Sequence, residues 1–428
     1  MASASFVLRG DLCFSGGPQT IETMQNGFLV CVDGISAGVF QTLPDQYAAL
    51  PLLDCTGLLV TPGLVDLHVH APQYTFRGLG MDLELLDWLN IHTFPEEAKY
   101  KDPDYAKTAY SRFVEDVRRG PNTRSCIFAT LHTESTLILM DLLEKSGLIT
   151  YVGKVNMDRN GSPALQETSP EASARSTRQW LKQVQHRGYQ CTYPILTPRF
   201  IPSCTDELMN ALCTIQREFH LPVQSHLSEN QREVAWVREL CPASLGYGHA
   251  YDDFGLFGGE TCPTIMAHCV LSDAEETALM KRNGVYVAHC PASNTNLASG
   301  IAPVRRYLDE GLHMGLGSDV AGGTRTSIFT AMVDAIHVSK LRWRLVDSTL
   351  PPLTAAEAFY LGTLGGGTFF GGKVGSFAPG YACDAIVLDD TRYTPVGTFD
   401  LPERLERTIY LSDDRDVVHK FVQGRRLF

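Results

Sequence analysis

The stretch Pro62-Gly63-Leu64-Val65-Asp66-Leu67-His68-Val69-His70-Ala71-Pro72-Gln73 combines a turn, a buried strand and two candidate metal ligands. It opens with a Pro-Gly turn and continues as the apolar run typical of a strand in a buried parallel sheet. His68 and His70 are two residues apart, so on a strand both imidazoles leave the same face. Because neutral imidazole is a common zinc ligand, the pair favours a divalent-metal site. Two hydrogen-bonded core histidines are the alternative.

Strand and helix patterns alternate from about residue 63 to residue 370, which is typical of repeated βα units. Eight strand–helix pairs fit an α/β fold of the TIM (β/α)8 barrel type, although a doubly wound open sheet fits the alternation too. The barrel is favoured because polar candidates recur at the carboxyl ends of strands, where barrels build their sites. The predicted strands are 64–70, 125–130, 150–156, 192–198, 222–227, 264–270, 284–289 and 313–318. The predicted helices are 103–119, 134–146, 171–187, 205–219, 229–240, 272–283, 302–310 and 327–340.

Both ends of the chain have the short apolar runs and the Gly and Pro punctuation of β structure. We expect them to combine into one small composite β-sandwich domain beside the barrel. The predicted divisions are 1–61 for the N-terminal part of the β domain, 62–370 for the catalytic barrel and 371–428 for the C-terminal part.

The composition excludes several classes of protein. The 428 residues, 44% apolar and 20% charged, are typical of a soluble globular protein of one large domain or two. The net charge of -12 argues against a nucleic-acid partner, and no apolar run is long enough to span a bilayer. The N-terminus lacks a signal-peptide pattern, and the twelve cysteines therefore favour a reducing, cytoplasmic compartment.

Further candidate ligands follow other predicted strands. The strand 222–227 carries His226, and Glu229 comes three residues later. Two later strands end at His268 and near Asp319. A lone histidine is usually a core or loop residue, and a lone aspartate after a strand usually caps a helix. Together with the first histidine pair, however, they predict a nitrogen-rich metal site with one carboxylate and room for water.

Five segments together resemble the amidohydrolase superfamily, in its deaminase branch; they are 62–70, 225–229, 266–268, 289–294 and 315–323. Within that branch, further segments are similar to the guanine deaminase family; they are 71–74, 85–89, 93–97 and 197–200. The resemblance covers essentially the whole chain. It implies a zinc enzyme, expected as a homodimer, that converts guanine and water to xanthine and ammonia.

The resemblance also implies roles for individual residues. It implies one zinc per chain, held by His68, His70, His226 and Asp319. Glu229 would move protons to the purine, His268 would orient the attacking water, and Asp319 would accept a proton from that water. The base would be contacted by Gln73, Arg199, Phe200 and His226.

Arg199 would select the base by donating to the carbonyl oxygen at position 6 of guanine, because a guanidinium only donates. Adenine presents an amino group there, which would leave two donors facing each other. The alternative is that Arg199 pairs with a carboxylate and supports the fold.

Other interpretations stay open. The substrate could be another fused heterocycle, such as a pterin or an oxidised guanine, and a non-catalytic scaffold is the alternative outside the enzymes. His132-Thr133-Glu134 mimics the H-x-E motif of cytidine deaminases, but the P-C-x-x-C segment that completes that motif is absent. His132 and His289 are assigned to strand ends with no fixed role. Trp88 either covers the pocket or packs a helix.

Overall fold

The computed structural model describes residues 5–393 and 396–428. In chain order its strands are β1 (Phe6–Gly17), β2 (Thr20–Val32), β3 (Ile35–Phe40), β4 (Leu52–Pro62), β5 (Leu64–His70), β6 (Asn122–Phe128), β7 (Ile149–Gly153), β8 (Val155–Asn156), β9 (Thr192–Pro194), β10 (Thr197–Pro198), β11 (Val223–Leu227), β12 (Thr264–His268), β13 (Tyr286–His289), β14 (His313–Leu316), β15 (Ala385–Leu388), β16 (Val417–Val422) and β17 (Arg425–Arg426).

The α-helices are α1 (Leu85–Trp88), α2 (Phe94–Ala98), α3 (Pro103–Arg119), α4 (Thr133–Ser146), α5 (Pro170–Arg187), α6 (Asp206–Phe219), α7 (Gln231–Leu240), α8 (Tyr247–Asp253), α9 (Ala274–Asn283), α10 (Pro291–Asn296), α11 (Val304–Asp309), α12 (Ile328–Leu345), α13 (Ala355–Tyr360) and α14 (Leu401–Leu411). A π-helical turn, Leu89–Thr93, joins α1 to α2. Across the described parts of the chain, no helix is long and apolar enough to cross a membrane.

Helix α3 has the range that the sequence predicts. Asp102 caps it by accepting from the backbone N–H of Asp104, and Pro103 occupies the first turn, where no backbone donor is needed. The buried face repeats at helical spacing through Ala106, Tyr110, Phe113 and Val117. Periodicity and cap agree here, which explains why both ends are predictable.

The two chain ends contribute strands to one seven-stranded sheet. Its order is β17-β16-β15-β4-β1-β2-β3, so strands from the far C-terminus lie beside strands from the N-terminus. Strand β4 pairs parallel with β1 and antiparallel with β15. One face of the sheet is packed by apolar residues from both ends, including Leu12, Leu29, Val60, Phe377 and Val387.

The central region is α/β and contains two four-stranded parallel sheets, β5-β6-β7-β9 and β11-β12-β13-β14. Every residue of β5 and β6 is buried. Burial on both faces explains why β5 shows no regular alternation of apolar and polar residues, whereas β6 buries polar residues such as Asn122 and Arg124 as well.

Backbone hydrogen bonds join these two sheets at both edges. At one edge Leu196, just after β9, accepts from the N–H of Gln224 in β11 at 3.0 Å. At the other edge Asp319, after β14, donates its N–H to the carbonyl of His68 in β5 at 2.8 Å. The carboxyl ends of β5 and β14 therefore lie side by side.

Some sequence predictions differ from the structure. The predicted strand 150–156 is divided into β7 and β8. The predicted strand 192–198 is divided into β9 and β10; each piece ends in a proline, which cannot donate to a strand ladder. The C-terminal part, predicted as β structure, also contains α14. This helix has a capping box between Asp400 and Glu403 and a buried apolar face. It was not predicted because the short strand patterns on either side of it dominate this part of the sequence.

Candidate active site

Five of the predicted site residues meet at the carboxyl ends of parallel strands. His68 and His70 lie on β5, His226 on β11 and His268 at the end of β12, while Asp319 follows β14. Parallel strands end at the same edge, which brings residues far apart in sequence together. All are buried except His226, which is half-buried.

Four of these side chains converge on one point. The Nε2 atom of His70 lies 3.2 Å from Nε2 of His68 and 3.2 Å from Nε2 of His226. An oxygen of Asp319 lies 3.2 Å from His68 Nε2 and 3.5 Å from His70 Nε2. The residues predicted as metal ligands are thus brought together.

The backbone around this point adopts uncommon conformations. His268 and Asp319 have φ values of 75° and 44°, in the left-handed region that side chains rarely adopt. Such conformations persist only where the surroundings hold them, and the hydrogen bond from Asp319 N–H to His68 does so. A Cβ at Gly317 would lie 2.9 Å from that of His68, so only glycine lets β14 pass this close.

Burial controls the protonation of the cluster. Desolvation holds the pKa values of His70 and His226 well below the ordinary histidine value, so both imidazoles are neutral near pH 7. Burial would raise the pKa of Asp319, but the neighbouring imidazoles, His68 foremost, outweigh it and lower that pKa. The cluster therefore offers neutral nitrogens and one ionised carboxylate.

These residues fit a divalent metal. His226 donates Nδ1–H to the carbonyl of Arg199 at 2.6 Å, which leaves a lone pair on Nε2. Ring nitrogens that face each other at 3.2 Å repel unless a proton or a cation lies between them. Imidazole nitrogens with a carboxylate oxygen are a ligand set that zinc prefers.

Glu229 is the second carboxyl group of the site. Its Oε2 lies 3.4 Å from His268 Nε2, and its Oε1 accepts from the hydroxyl of Ser299 at 3.2 Å. Burial, with the charge of Asp319, raises the pKa of Glu229 well above its ordinary value. The shift favours the protonated form of this side chain, which is the form that a general acid needs.

A separate hydrogen-bonded group faces the same pocket. Arg199 donates through Nη1 and Nη2 to the two oxygens of Glu97, at 2.5 and 3.1 Å. Gln73 donates to Glu97 at 2.9 Å and accepts from the N–H of Ala321 at 3.1 Å. The alternative in which Arg199 pairs with a carboxylate is therefore realised, and the paired residue still lines the pocket.

The pocket has a space of about 410 Å³, including its open mouth. Its walls combine the cluster, Glu229, Gln73 and Arg199 with apolar side chains: Leu85, Trp88, Leu89, Phe200 and Leu297. Trp88 satisfies both interpretations, because it lines the pocket while its Nε1–H donates to Leu79 at 3.2 Å.

Two histidines with open roles lie apart from the converging nitrogens. His132 occupies the N-cap position of α4 without a capping hydrogen bond from its side chain, and it is absent from the pocket walls. His289 is buried, and neither ring nitrogen has a hydrogen-bond partner among residues 5–393 and 396–428.

Four residues without a predicted role support the site. Asp66 accepts from Ser318 N–H at 3.0 Å and from its hydroxyl at 2.6 Å, which joins β5 to the loop of Asp319. In the sequence, a carboxylate inside an apolar strand is the feature that could have identified Asp66 as a site residue. Asn294 accepts from His268 Nδ1 at 2.8 Å and so orients that ring. Glu97 and Ser299 act through contacts distant in sequence, which no local pattern reveals.

The chain is similar to known proteins in sequence and in structure. The model of the amidohydrolase family matches residues 59–427. The chain belongs to the amidohydrolase family. This amidohydrolase is 38% identical to the guanine deaminase of Dictyostelium discoideum, over 88% of the present chain and 84% of the relative.

Solved structures are similar as well. A guanine deaminase from C. acetobutylicum, with guanine bound in its active site, is 45% identical, has a TM-score of 0.95 and covers 99% of this amidohydrolase and 100% of its own chain. An adenosine deaminase from Xanthomonas campestris with bound zinc has a TM-score of 0.83, over 99% of this chain and 92% of its own. At 22% identity that second likeness shows the fold alone.

Proposed function

We propose that this chain catalyses the zinc-dependent hydrolysis of guanine to xanthine and ammonia. The observation that carries the proposal is one pocket in which a metal-ligand cluster and a buried acid, Glu229, lie together with two donors, Arg199 and Gln73. The similarity to a guanine deaminase with bound guanine supports this choice of substrate.

We assign the metal to His68, His70, His226 and Asp319, with one zinc per chain. The short distances from His70 and Asp319 to the neighbouring histidine nitrogens and the lowered histidine pKa values support this assignment. A bound divalent metal lowers the pKa of water to about 7, which supplies a nucleophile at neutral pH.

Glu229 donates the first proton in the proposed reaction. In guanine the carbon that bears the amino group lies between two ring nitrogens, and protonation of one nitrogen makes that carbon more electrophilic. Burial raises the pKa of Glu229 and so favours its protonated form, which can give that proton. The C–O bond to water then forms, and the C–N bond breaks.

Asp319 and His268 handle the protons of the attacking water. Both lie within reach of the cluster, with His268 Nε2 3.7 Å from Asp319 and 3.4 Å from Glu229. Asp319 accepts one proton from the water, which His268 orients. Glu229, deprotonated by the first step, takes the second proton of the former water and passes it to the amino group, which leaves as ammonia. The proton on Asp319 then returns to Glu229, so both carboxyl groups regain their starting states. The sum is one water consumed and one ammonia released.

Recognition of the base is assigned to Gln73, Arg199, Phe200 and His226. Arg199 keeps N–H groups beyond those that bind Glu97, and these can donate to the carbonyl oxygen at position 6. Phe200 contributes an apolar surface, since it lines the pocket and lies 6.4 Å from Trp236, ring centre to ring centre.

We propose that the eight predicted strands, which the structure divides into the ten segments β5 to β14, close into a TIM barrel over 62–370. The hydrogen bonds of Gln224 to Leu196 and of Asp319 to His68 support closure, because they join both edges of the two parallel sheets. The seven-stranded sheet supports a composite β domain made from 1–61 and 371–428, although its strands lie in one sheet and the sandwich stays a prediction. The homodimer stays a prediction from the resemblance, and the cytoplasmic location stays a prediction from the cysteine content.

Ammonia release from a panel of purines and pterins tests the proposal. We expect purified protein to release ammonia fastest from guanine. Faster release from a pterin or an oxidised guanine would assign the site to that heterocycle. No release from any of them would favour the scaffold interpretation.

A further inference from the structure

The segment 93–97 ends in two adjacent glutamates with different partners. Both are nearly buried, with Glu96 7% and Glu97 2% exposed. Glu96 accepts from Thr75 at 2.5 Å, from Lys99 at 2.6 Å and from the hydroxyl of Tyr105, and none of these three lines the pocket. Glu97 accepts only from the pocket residues Arg199 and Gln73 in the described contacts.

Glu97 fixes the direction in which both donors point. A carboxylate that accepts from two guanidinium nitrogens allows one orientation of that planar group. The amide of Gln73 is fixed as well, because reversing it would break its bonds to Glu97 and to Ala321 N–H. The ring of Phe94, 5.2 Å from the Arg199 guanidinium carbon, supports the same position.

Glu97 also determines the charge of the pocket wall that Arg199 and Gln73 form. Arg199 is 3% exposed, so solvent cannot screen its charge. A guanidinium paired with one carboxylate carries no net charge, and the wall therefore offers directed N–H groups without a net positive field. Guanine is neutral near pH 7, whereas urate, a purine of similar shape, is an anion.

We propose that Glu97 positions Arg199 and Gln73 and, by neutralising Arg199, makes the pocket prefer a neutral purine to an anionic one. This inference rests on the proposed guanine deamination. Glu97 is a positioning residue, since it touches the donors rather than the base.

The test compares Glu97→Gln with Glu96→Gln, the adjacent and similarly buried carboxylate. For each we would measure kcat and KM for guanine, inhibition by urate and bound zinc. We expect Glu97→Gln to lower kcat/KM for guanine at least ~10-fold, as loss of a charged bidentate contact does. We expect the same variant to tighten urate inhibition relative to guanine at least ~10-fold, because Arg199 is left with an uncompensated charge. Glu96→Gln should leave both values near the parent, and both variants should retain zinc.

A second variant separates charge from geometry. Glu97→Asp keeps the charge but shortens the side chain, so KM for guanine should rise while the preference for guanine over urate is kept. This variant also carries the test if Glu97→Gln does not fold. For Glu97→Asp, an unchanged KM or a lost preference would overturn the proposal.

The outcomes for this inference and for the proposed function are distinct. The inference is wrong, and Glu97 has only a structural role, if Glu97→Gln and Glu96→Gln change kcat/KM for guanine and inhibition by urate to the same extent. If the parent protein releases no ammonia from guanine, the proposed function fails instead.

Discussion

The Nε2 atoms of His70 and His226 lie 3.2 Å apart, although 156 positions separate the two residues in the chain. Burial keeps both rings neutral, so no charge on either ring attracts the other. His226 Nδ1 already donates to the Arg199 carbonyl, which directs its Nε2 lone pair at His70. A cation bound between the two nitrogens is the arrangement that best accommodates both lone pairs.

Removing one of these nitrogens should remove the metal. We expect protein purified without added zinc to contain one zinc per chain. We expect His226→Ala to lose the zinc, because its ligand set is then incomplete. Metal analysis by mass spectrometry measures both. His289→Ala, which removes a buried histidine outside the cluster, should keep the metal. An active preparation with almost no zinc, iron or manganese would contradict the assignment.

Loss of the acidic proton of Glu229 should stop turnover while leaving the metal in place. Glu229→Gln keeps the shape of the side chain but cannot donate and recover a proton, so kcat for guanine should fall at least ~100-fold. Zinc content serves as the control, since Glu229 is not among the proposed ligands. Near-normal turnover by this variant would show that another group transfers the proton.

Arg199→Met should affect both activity and stability. Guanine deamination should collapse, because the base loses its charged donor in a desolvated site. The melting temperature should also fall, because Glu97 is left buried without its partner, and breaking such a pair typically costs ~3–5 kcal/mol. Thermal unfolding and ammonia release measure the two effects. A folded variant with guanine activity within a few-fold of the parent would exclude Arg199 from base recognition.

The first strand of the site and the shared face of His68 and His70 were predictable because their signals are local. The run before His68 and His70 is buried throughout, and alternation on a strand places both rings on one face. The caps and apolar periodicity of α3 likewise lie within one short segment. Local rules of this kind depend on few residues and are readable from one sequence.

The partner of Arg199 was not predictable in the same way. Glu97 lies 102 positions from Arg199, and sequence spacing cannot select it over Glu96. The choice depends on the turn of α2, which points one glutamate to the pocket and the other to Thr75 and Tyr105. Ser299 reaches Glu229 from 70 positions away for the same reason. Tertiary packing, rather than propensity, decides such contacts.

Lys420 joins the C-terminal strand β16 to the end of helix α3. Its ammonium is fully buried and donates to the carbonyls of Val117, Arg118 and Gly120 at 3.0, 3.2 and 2.9 Å. A cation at the end of a helix is favoured by the unpaired carbonyls there. Desolvation nevertheless dominates and lowers the pKa of Lys420 from 10.5 to about 7.

This lowered pKa predicts that stability depends on alkaline pH. Between about pH 7 and 10.5 the unfolded chain binds the Lys420 proton and the folded chain does not, so the free energy of unfolding rises with pH by at most ~1.4 kcal/mol per unit. Below about pH 7 both states are protonated and this contribution to the slope vanishes. Lys420→Met should lower stability at every pH, because the buried carbonyls lose the hydrogen bonds that the ammonium donates below about pH 7 and the neutral amine donates above it, and should remove this rise. Melting temperatures measured across the window, with Lys145→Met as an exposed-lysine control, check this. If the parent and Lys420→Met give parallel curves while Lys145→Met matches the parent, the buried ammonium keeps its proton throughout, and the three carbonyl contacts outweigh desolvation.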